Sequence, residues 1–185
     1  MVCPRLVRPI SSDGAGNTLM RDSTPRFLLI WLIISAVQFG LAACATGGAT
    51  VNHHFSFDTK WDSSGVEVLD YQYGSSGQFG THPEKERVAL GETFPGNNIY
   101  GAMQRGDFLY VKWRIKQTGQ IYQDKVDLQP RLPADIKDLR IHFVIKGPQL
   151  YVYLIWPFDG HQYPPGDLNR YVGQKRVQIY PDQPK

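Results

Sequence analysis

An all-β fold is what this sequence predicts: an antiparallel β-sandwich of about seven strands with long loops, immunoglobulin-like in one arrangement, with a small curved sheet or barrel as the alternative. Three observations predict it. Apolar residues recur with period 2, not with the 3.6-residue period of helices. Turn signals separate the alternating runs. Glycine and proline, 18 and 13 of 185 residues, are scattered without a repeat, as in a loop-rich chain.

The first strand is read over residues 51–57 and the second over 66–73. The clearest covers 108–116. Leu109, Val111, Trp113 and Ile115 fall on one face, and Tyr110, Lys112, Arg114 and Lys116 on the other, the pattern of a strand buried on one side only. Gln117-Thr118-Gly119-Gln120 is turn chemistry, so 121–128 is the return strand of a hairpin. Pro130 and Pro133 stop regular pairing, and a lone helical turn is expected at Pro133-Ala134-Asp135-Ile136-Lys137. Over 139–145, Leu139, Ile141, Phe143 and Ile145 alternate with Arg140 and His142. Gly147-Pro148 turns the chain into 150–156, where Leu150, Val152, Leu154 and Trp156 alternate with Tyr151, Tyr153 and Ile155. This second hairpin is nearly apolar on both faces, as central strands are. The last strand is 176–180. Residues 74–106 and 157–173 remain as long connections, a length that usually signals function or motion.

The N-terminal part has a different character. Residues 1–19 are polar and irregular. Arg21 and Arg26 then precede Phe27-Leu28-Leu29-Ile30-Trp31-Leu32-Ile33-Ile34-Ser35-Ala36-Val37, and small residues follow. A positive stretch, an apolar stretch and a small-residue site are the layout of a secretory signal peptide. The apolar run of about 11 residues would extend about 17 Å as a helix, against roughly 20 residues for a bilayer core of about 30 Å. It is therefore too short to serve as a permanent span.

Leu41-Ala42-Ala43-Cys44 resembles the lipobox of bacterial lipoproteins. The resemblance covers residues 20–45. It implies cleavage before Cys44, a diacylglycerol on the Cys44 sulfur and acylation of the new amine. Ala45 after the cysteine, in place of the Asp that retains such proteins at the inner membrane, implies an outer-membrane lipoprotein facing the periplasm. Two or three acyl chains give a durable anchor where one is marginal, at about 0.8 kcal/mol per buried CH₂. The 19 residues before Met20 are foreign to that layout, so Met20 is read as the true start. The domains expected are an upstream extension (1–19), a signal peptide (20–43), a lipidated tether (44–50) and one β-rich domain (51–185).

With Cys3 upstream and Cys44 lipidated, the globular part holds no cysteine. It has no disulfide, no Cys-ligated zinc and no thiol nucleophile. Residues 1–43 also carry four basic and two acidic side chains, so most of the +3 net charge leaves with them and the remainder stands at +1. The basic face of Lys112, Arg114 and Lys116, with Tyr110 among them, would fit a nucleic-acid stacking platform. Asp124 and Asp127 on the return strand favour cross-strand pairing instead. No nucleic-acid partner is expected, and anionic lipid is the better counter-charge for an exported protein.

No catalytic pattern stands out. His53 and His54 are neighbours in a strand, so they point to opposite faces and cannot easily share an ion; beside the tether they are read as solvated. His142 and His161 could each serve as a base if a serine lay near. Ser56, Ser63, Ser64, Ser75 and Ser76 lie in no nucleophile-elbow pattern, and Gly74-Ser75-Ser76-Gly77 reads as a turn. Glu84, Glu86, Glu92 and Asp107 are read as solvated loop carboxylates. Arg105-Gly106-Asp107 matches an adhesion tripeptide, with Gly106 read as a turn into the strand at Phe108. No P-loop or dinucleotide fingerprint is present, and no cofactor or metal site is expected.

The hairpin carrying Tyr110-Val111-Lys112-Trp113-Arg114, Tyr122 and Leu128, ahead of Pro133, resembles small lipoproteins that act as immunity factors against type VI secretion lipase effectors. That resemblance covers about a third of the domain. It implies a non-enzymatic protein that docks and neutralises a toxin. The alternative is an envelope hydrolase whose site, built on His142 or His161, assembles only in space.

Overall fold

The computed structural model describes residues 49–163, 168 and 170–182. The residues read as an upstream extension and a signal peptide, Cys44, and most of those read as a tether lie outside the described residues. The described chain forms β1 (Thr50–Asp58), β2 (Val66–Tyr73), α1 (Lys85–Ala89), β3 (Gly96–Gln104), β4 (Phe108–Ile115), β5 (Ile121–Asp127), β6 (Arg140–Lys146), β7 (Gln149–Ile155) and β8 (Arg176–Tyr180). They make a five-stranded sheet, β3-β1-β6-β7-β8, and a three-stranded sheet, β2-β4-β5. The fold is the expected all-β sandwich, and neither sheet closes into a barrel.

The inner faces follow the period-2 pattern. Phe55 and Phe57 of β1 and Phe143 of β6 meet Tyr71 and Tyr73 of β2, with Phe55 stacked on Tyr73 at 4.8 Å and Phe57 stacked on Phe143 at 4.5 Å. Leu109, Val111 and Trp113 of β4 complete the layer against Ile141, Ile145, Leu150 and Val152. The second hairpin, β6 and β7, lies in the middle of the larger sheet. Its outer side is also covered, since Val144, Tyr153 and Ile155 pack with Leu168 from the connection to β8.

Three features depart from expectation. The strand β3 falls within the stretch read as a loop. Its sequence, Gly96-Asn97-Asn98-Ile99-Tyr100-Gly101-Ala102-Met103-Gln104, buries only Met103, so it carries no apolar alternation. Pairing with β1 along nine residues holds it in the sheet. Second, β1 and β6 pair in parallel, from His54↔Arg140 to Phe57↔Phe143, within otherwise antiparallel sheets. Third, the helical turn expected at 133–137 is not a helix. The Asp135 carboxylate accepts the Lys137 N–H at 2.8 Å, a local bond that competes with helical pairing. Ile136 nevertheless reaches the core.

Residues 105–107 are bound internally. Arg105 donates to the Gln129 and Leu132 carbonyls, and Asp107 accepts the Ser75 N–H. Gly106 lies against the Tyr73 ring, where a Cβ would stand 2.3 Å from a ring carbon, so only glycine fits. Its N–H donates to the Tyr73 hydroxyl at 3.0 Å. On the three-stranded sheet the basic face is compensated, but by β2 rather than β5. Arg114 pairs with Glu67 at 2.9 Å, and Lys112 stands opposite Asp70. Asp124 instead accepts the Tyr180 hydroxyl at 2.7 Å, a bond between the two sheets.

Candidate functional site

Strand register assembles the site. On the outer face of the five-stranded sheet, Asn98 of β3, Ser56 of β1, His142 of β6 and Tyr153 of β7 stand side by side in one row. Two residues along, Tyr100, His54, Arg140 and Ile155 form the next row. Alternation puts these side chains on one face while Phe55, Phe57, Ile141 and Phe143 fill the core. The β2-side loop and the segment before β8 add Asp62, Arg170 and Tyr171.

His142 is fully buried between two partners. Its Nε2 lies 3.1 Å from Asp62 Oδ2, and its Nδ1 lies 2.9 Å from Ser56 Oγ. The Asp62 carboxylate only accepts, so Nε2 carries the proton and Nδ1 accepts the Ser56 hydroxyl. Burial holds the His142 pKa below its ordinary value, outweighing the opposite pull of Asp62. The imidazole is therefore neutral at pH 7. Tyr171 packs edge-on against it at 5.3 Å. Arg170 closes the same end, 2.7 Å from Asp58 and 3.9 Å from Asp62. Ser56, Asp58, Asn97, Asn98, Arg170 and Tyr171 line a cleft of about 210 Å³.

The second row opens on another cleft, about 180 Å³, between His54, Tyr100, Asp138, Arg140, Trp156 and Gln174. Arg140 donates to Asn98 Oδ1 at 2.6 Å and lies 3.1 Å from His54 Nδ1. Burial lowers the pKa of His54, and the Arg140 charge adds to it. Tyr171 and Asp138 are the non-glycine residues of positive φ among those described, at 62° and 59°. Each borders one of the two clefts. Such left-handed backbone is costly for residues with a Cβ and concentrates where a site needs a particular geometry.

Of the histidines read from sequence, only His142 meets both a serine and a carboxylate. His161 is exposed, beside Asp159 and Tyr163. His54 faces outward, as alternation requires, but His53 is not solvated. It is fully buried, with Nδ1 2.8 Å from the Val51 carbonyl and Nε2 2.9 Å from the Tyr73 hydroxyl. The inner layer closes over β1 as far back as His53, and the bonds to Val51 and Tyr73 replace its lost water. Glu84, Glu86, Glu92 and Asp107 do not converge; Glu92 pairs with Arg87. Among the described residues no group of three or more His, Cys, Asp or Glu could hold a metal ion.

Asp62, Asn98, Arg140, Arg170 and Tyr171 were not singled out from sequence. The available signal was the polar alternation of His54, Ser56 and Asp58 across Phe55 and Phe57, repeated by Arg140 and His142 across Ile141 and Phe143.

Fold and site define an all-β sandwich with a buried Ser–His–Asp chain and two polar clefts on the outer face of its larger sheet. No family model matches the chain, and no curated protein or solved structure matches it.

Proposed function

We propose that this protein is a lipoprotein anchored through Cys44 at the periplasmic side of the outer membrane, where it docks a protein partner through the outer face of the five-stranded sheet. The partner class is a toxin, which makes the chain an immunity factor. The lipobox supports the anchor, and the hairpin's likeness to immunity lipoproteins supports the partner class. One observation carries the choice of face. Trp61, Tyr100, Phe158 and Val172 are exposed by 67%, 57%, 58% and 65%. Each is joined to a residue of one of the two clefts or lines one of them: Trp61 donates its N–H to Asp58, Val172 adjoins Tyr171, Phe158 follows Trp156-Pro157, and Tyr100 lines the second cleft. Exposed aromatic residues around arginines are the composition of binding hot spots.

The test is a pull-down from envelope extracts, with the detergent-solubilised full-length protein as bait. The wild type is expected to retain a specific protein. The double variant Trp61→Ala/Phe158→Ala is expected to retain it at least about 30-fold more weakly, the equivalent of one hot spot of about 2 kcal/mol. Retention unchanged in the double variant, or nothing retained by folded wild type, would overturn the reading.

A second reading, an envelope hydrolase, is favoured by the hydrogen-bonded order Ser56–His142–Asp62. A neutral histidine accepting from a serine is poised to take its proton. Against it stands burial. Ser56, His142 and the Asp62 side chain are at most 2% exposed, although Ser56 borders the first cleft, and a nucleophile needs room for a carbonyl about 3 Å from its oxygen. The docking reading expects a fluorophosphonate probe to leave the protein unlabelled. Labelling that disappears in Ser56→Ala would establish the hydrolase instead.

A further inference from the structure

Arg140 differs from Arg170, its neighbour on this face, in what compensates its charge. Arg170 has Asp58. Among the described residues no carboxylate oxygen lies within 4 Å of the Arg140 guanidinium. Its bonds go to the Asn98 carbonyl oxygen and to His54, both neutral, and the Tyr171 ring centre lies 5.3 Å away. Burial, with Arg170 adding to it, pushes its pKa below the ordinary arginine value. A partly buried cation without a counter-charge is costly unless something supplies one. The planar guanidinium holds five N–H donors, and two nitrogens are in use, so donors remain for an incoming anion.

The same cleft holds a second unmet group. Gln174 Oε1 is buried and has no hydrogen-bond partner among the described residues. A carbonyl oxygen needs a donor. The cleft therefore lacks a negative charge at one point and an N–H or O–H at another, between the aromatic walls of Tyr100 and Trp156.

We propose that this cleft receives an acidic side chain of the docked protein, with its carboxylate on Arg140 and a neighbouring backbone N–H on Gln174 Oε1. The inference rests on the docking reading and names the chemistry of its partner. A polypeptide brings both groups on one segment, a side-chain carboxylate and the backbone N–H beside it. Asp138 on the rim accepts the Tyr100 hydroxyl at 3.0 Å. Its charge limits the cleft to a single carboxylate and disfavours a phosphate dianion.

The test uses ¹⁵N-labelled full-length protein in detergent, titrated with N-acetyl-L-glutamate methylamide while the Arg140 Nε–Hε and Gln174 side-chain amide resonances are followed. Saturable shifts of both are expected, with a Kd on the order of millimolar for so small a probe. The matched glutamine compound should produce none. Arg140→Gln should abolish the Gln174 shift with the Trp113 indole resonance unmoved, which shows that the variant is folded. Gln174→Ala should weaken binding about threefold or more. Equal shifts with the glutamine compound, no shift with glutamate, or a response only to inorganic phosphate or phosphatidylglycerol vesicles would overturn the proposal. Failure of docking reads out separately. A partner retained equally by Arg140→Gln removes the acidic subsite and spares docking, while a saturable glutamate shift with no protein retained supports the subsite and removes docking.

Discussion

Trp113→Ala is expected to destabilise the domain by about 3–5 kcal/mol, the cost of a large buried aromatic side chain and the cavity it leaves. Trp113 is the largest fully buried side chain described, 1% exposed, on the inner face of β4. It also joins the two sheets, because its Nε1–H donates to the Gly147 carbonyl, in the β6–β7 turn, at 3.0 Å. Tyr122 of β5 stacks beside it at 6.0 Å. The substitution therefore removes packing in one sheet and a bond to the other. Single domains are stable by about 5–15 kcal/mol, so the loss takes a large share of the total. Urea unfolding of the wild type and the variant measures it. Trp113→Phe separates the parts, keeping most of the apolar volume and dropping the N–H, for about 1–3 kcal/mol. A loss under about 1 kcal/mol in Trp113→Ala would show that the sheets are not joined there.

Acidification from pH 7 to pH 5 is expected to destabilise the folded chain steeply. His53 and His142 are both fully buried, and burial is the largest cause lowering the pKa of each. Each lies below about 6.5 when folded and near 6.5 when unfolded. Above pH 6.5 both states are neutral and stability is flat. Below it the unfolded chain binds protons that the folded chain refuses, so stability falls as pH falls, until the folded-state pKa is reached. The limiting slope is about 1.4 kcal/mol per pH unit for each histidine. Urea midpoints at pH 7.5, 6.0 and 5.0 check the sign. His142→Asn should remove about one proton's worth of the slope, and a flat or inverted profile over this window would contradict the burial argument. Lowered by the same cause, His54 adds in the same direction.

How much of this was legible in the sequence depended on whether the signal was local. Seven strands could be read because alternation of apolar and polar side chains is a property of neighbours in the chain. The eighth, β3, could not, because its nine residues bury one methionine and depend on β1 for their conformation. His142 was visible as an outward residue of its strand. Its partners were not, since Ser56 and Asp62 lie 86 and 80 residues away and meet it only through the parallel pairing of β1 with β6. His53 reads as solvated from its place in the chain for a related reason. The small residues before β1 say nothing about whether a tyrosine from another strand closes over the ring.

The sequence by itself determined the all-β class, the positions of seven strands, the inner faces of β4, β6 and β7 and a cysteine-free body after residue 44, since each follows from composition or from a period of two. Only the tertiary structure decided that His54, Ser56, Arg140 and His142 share one surface, that Arg140 lacks a carboxylate among the described residues while Arg170 has one, and that Gln174 leaves an acceptor unmet beside it. Strand order and register are long-range choices. They are fixed by which faces bury together, and no local pattern of residues encodes them.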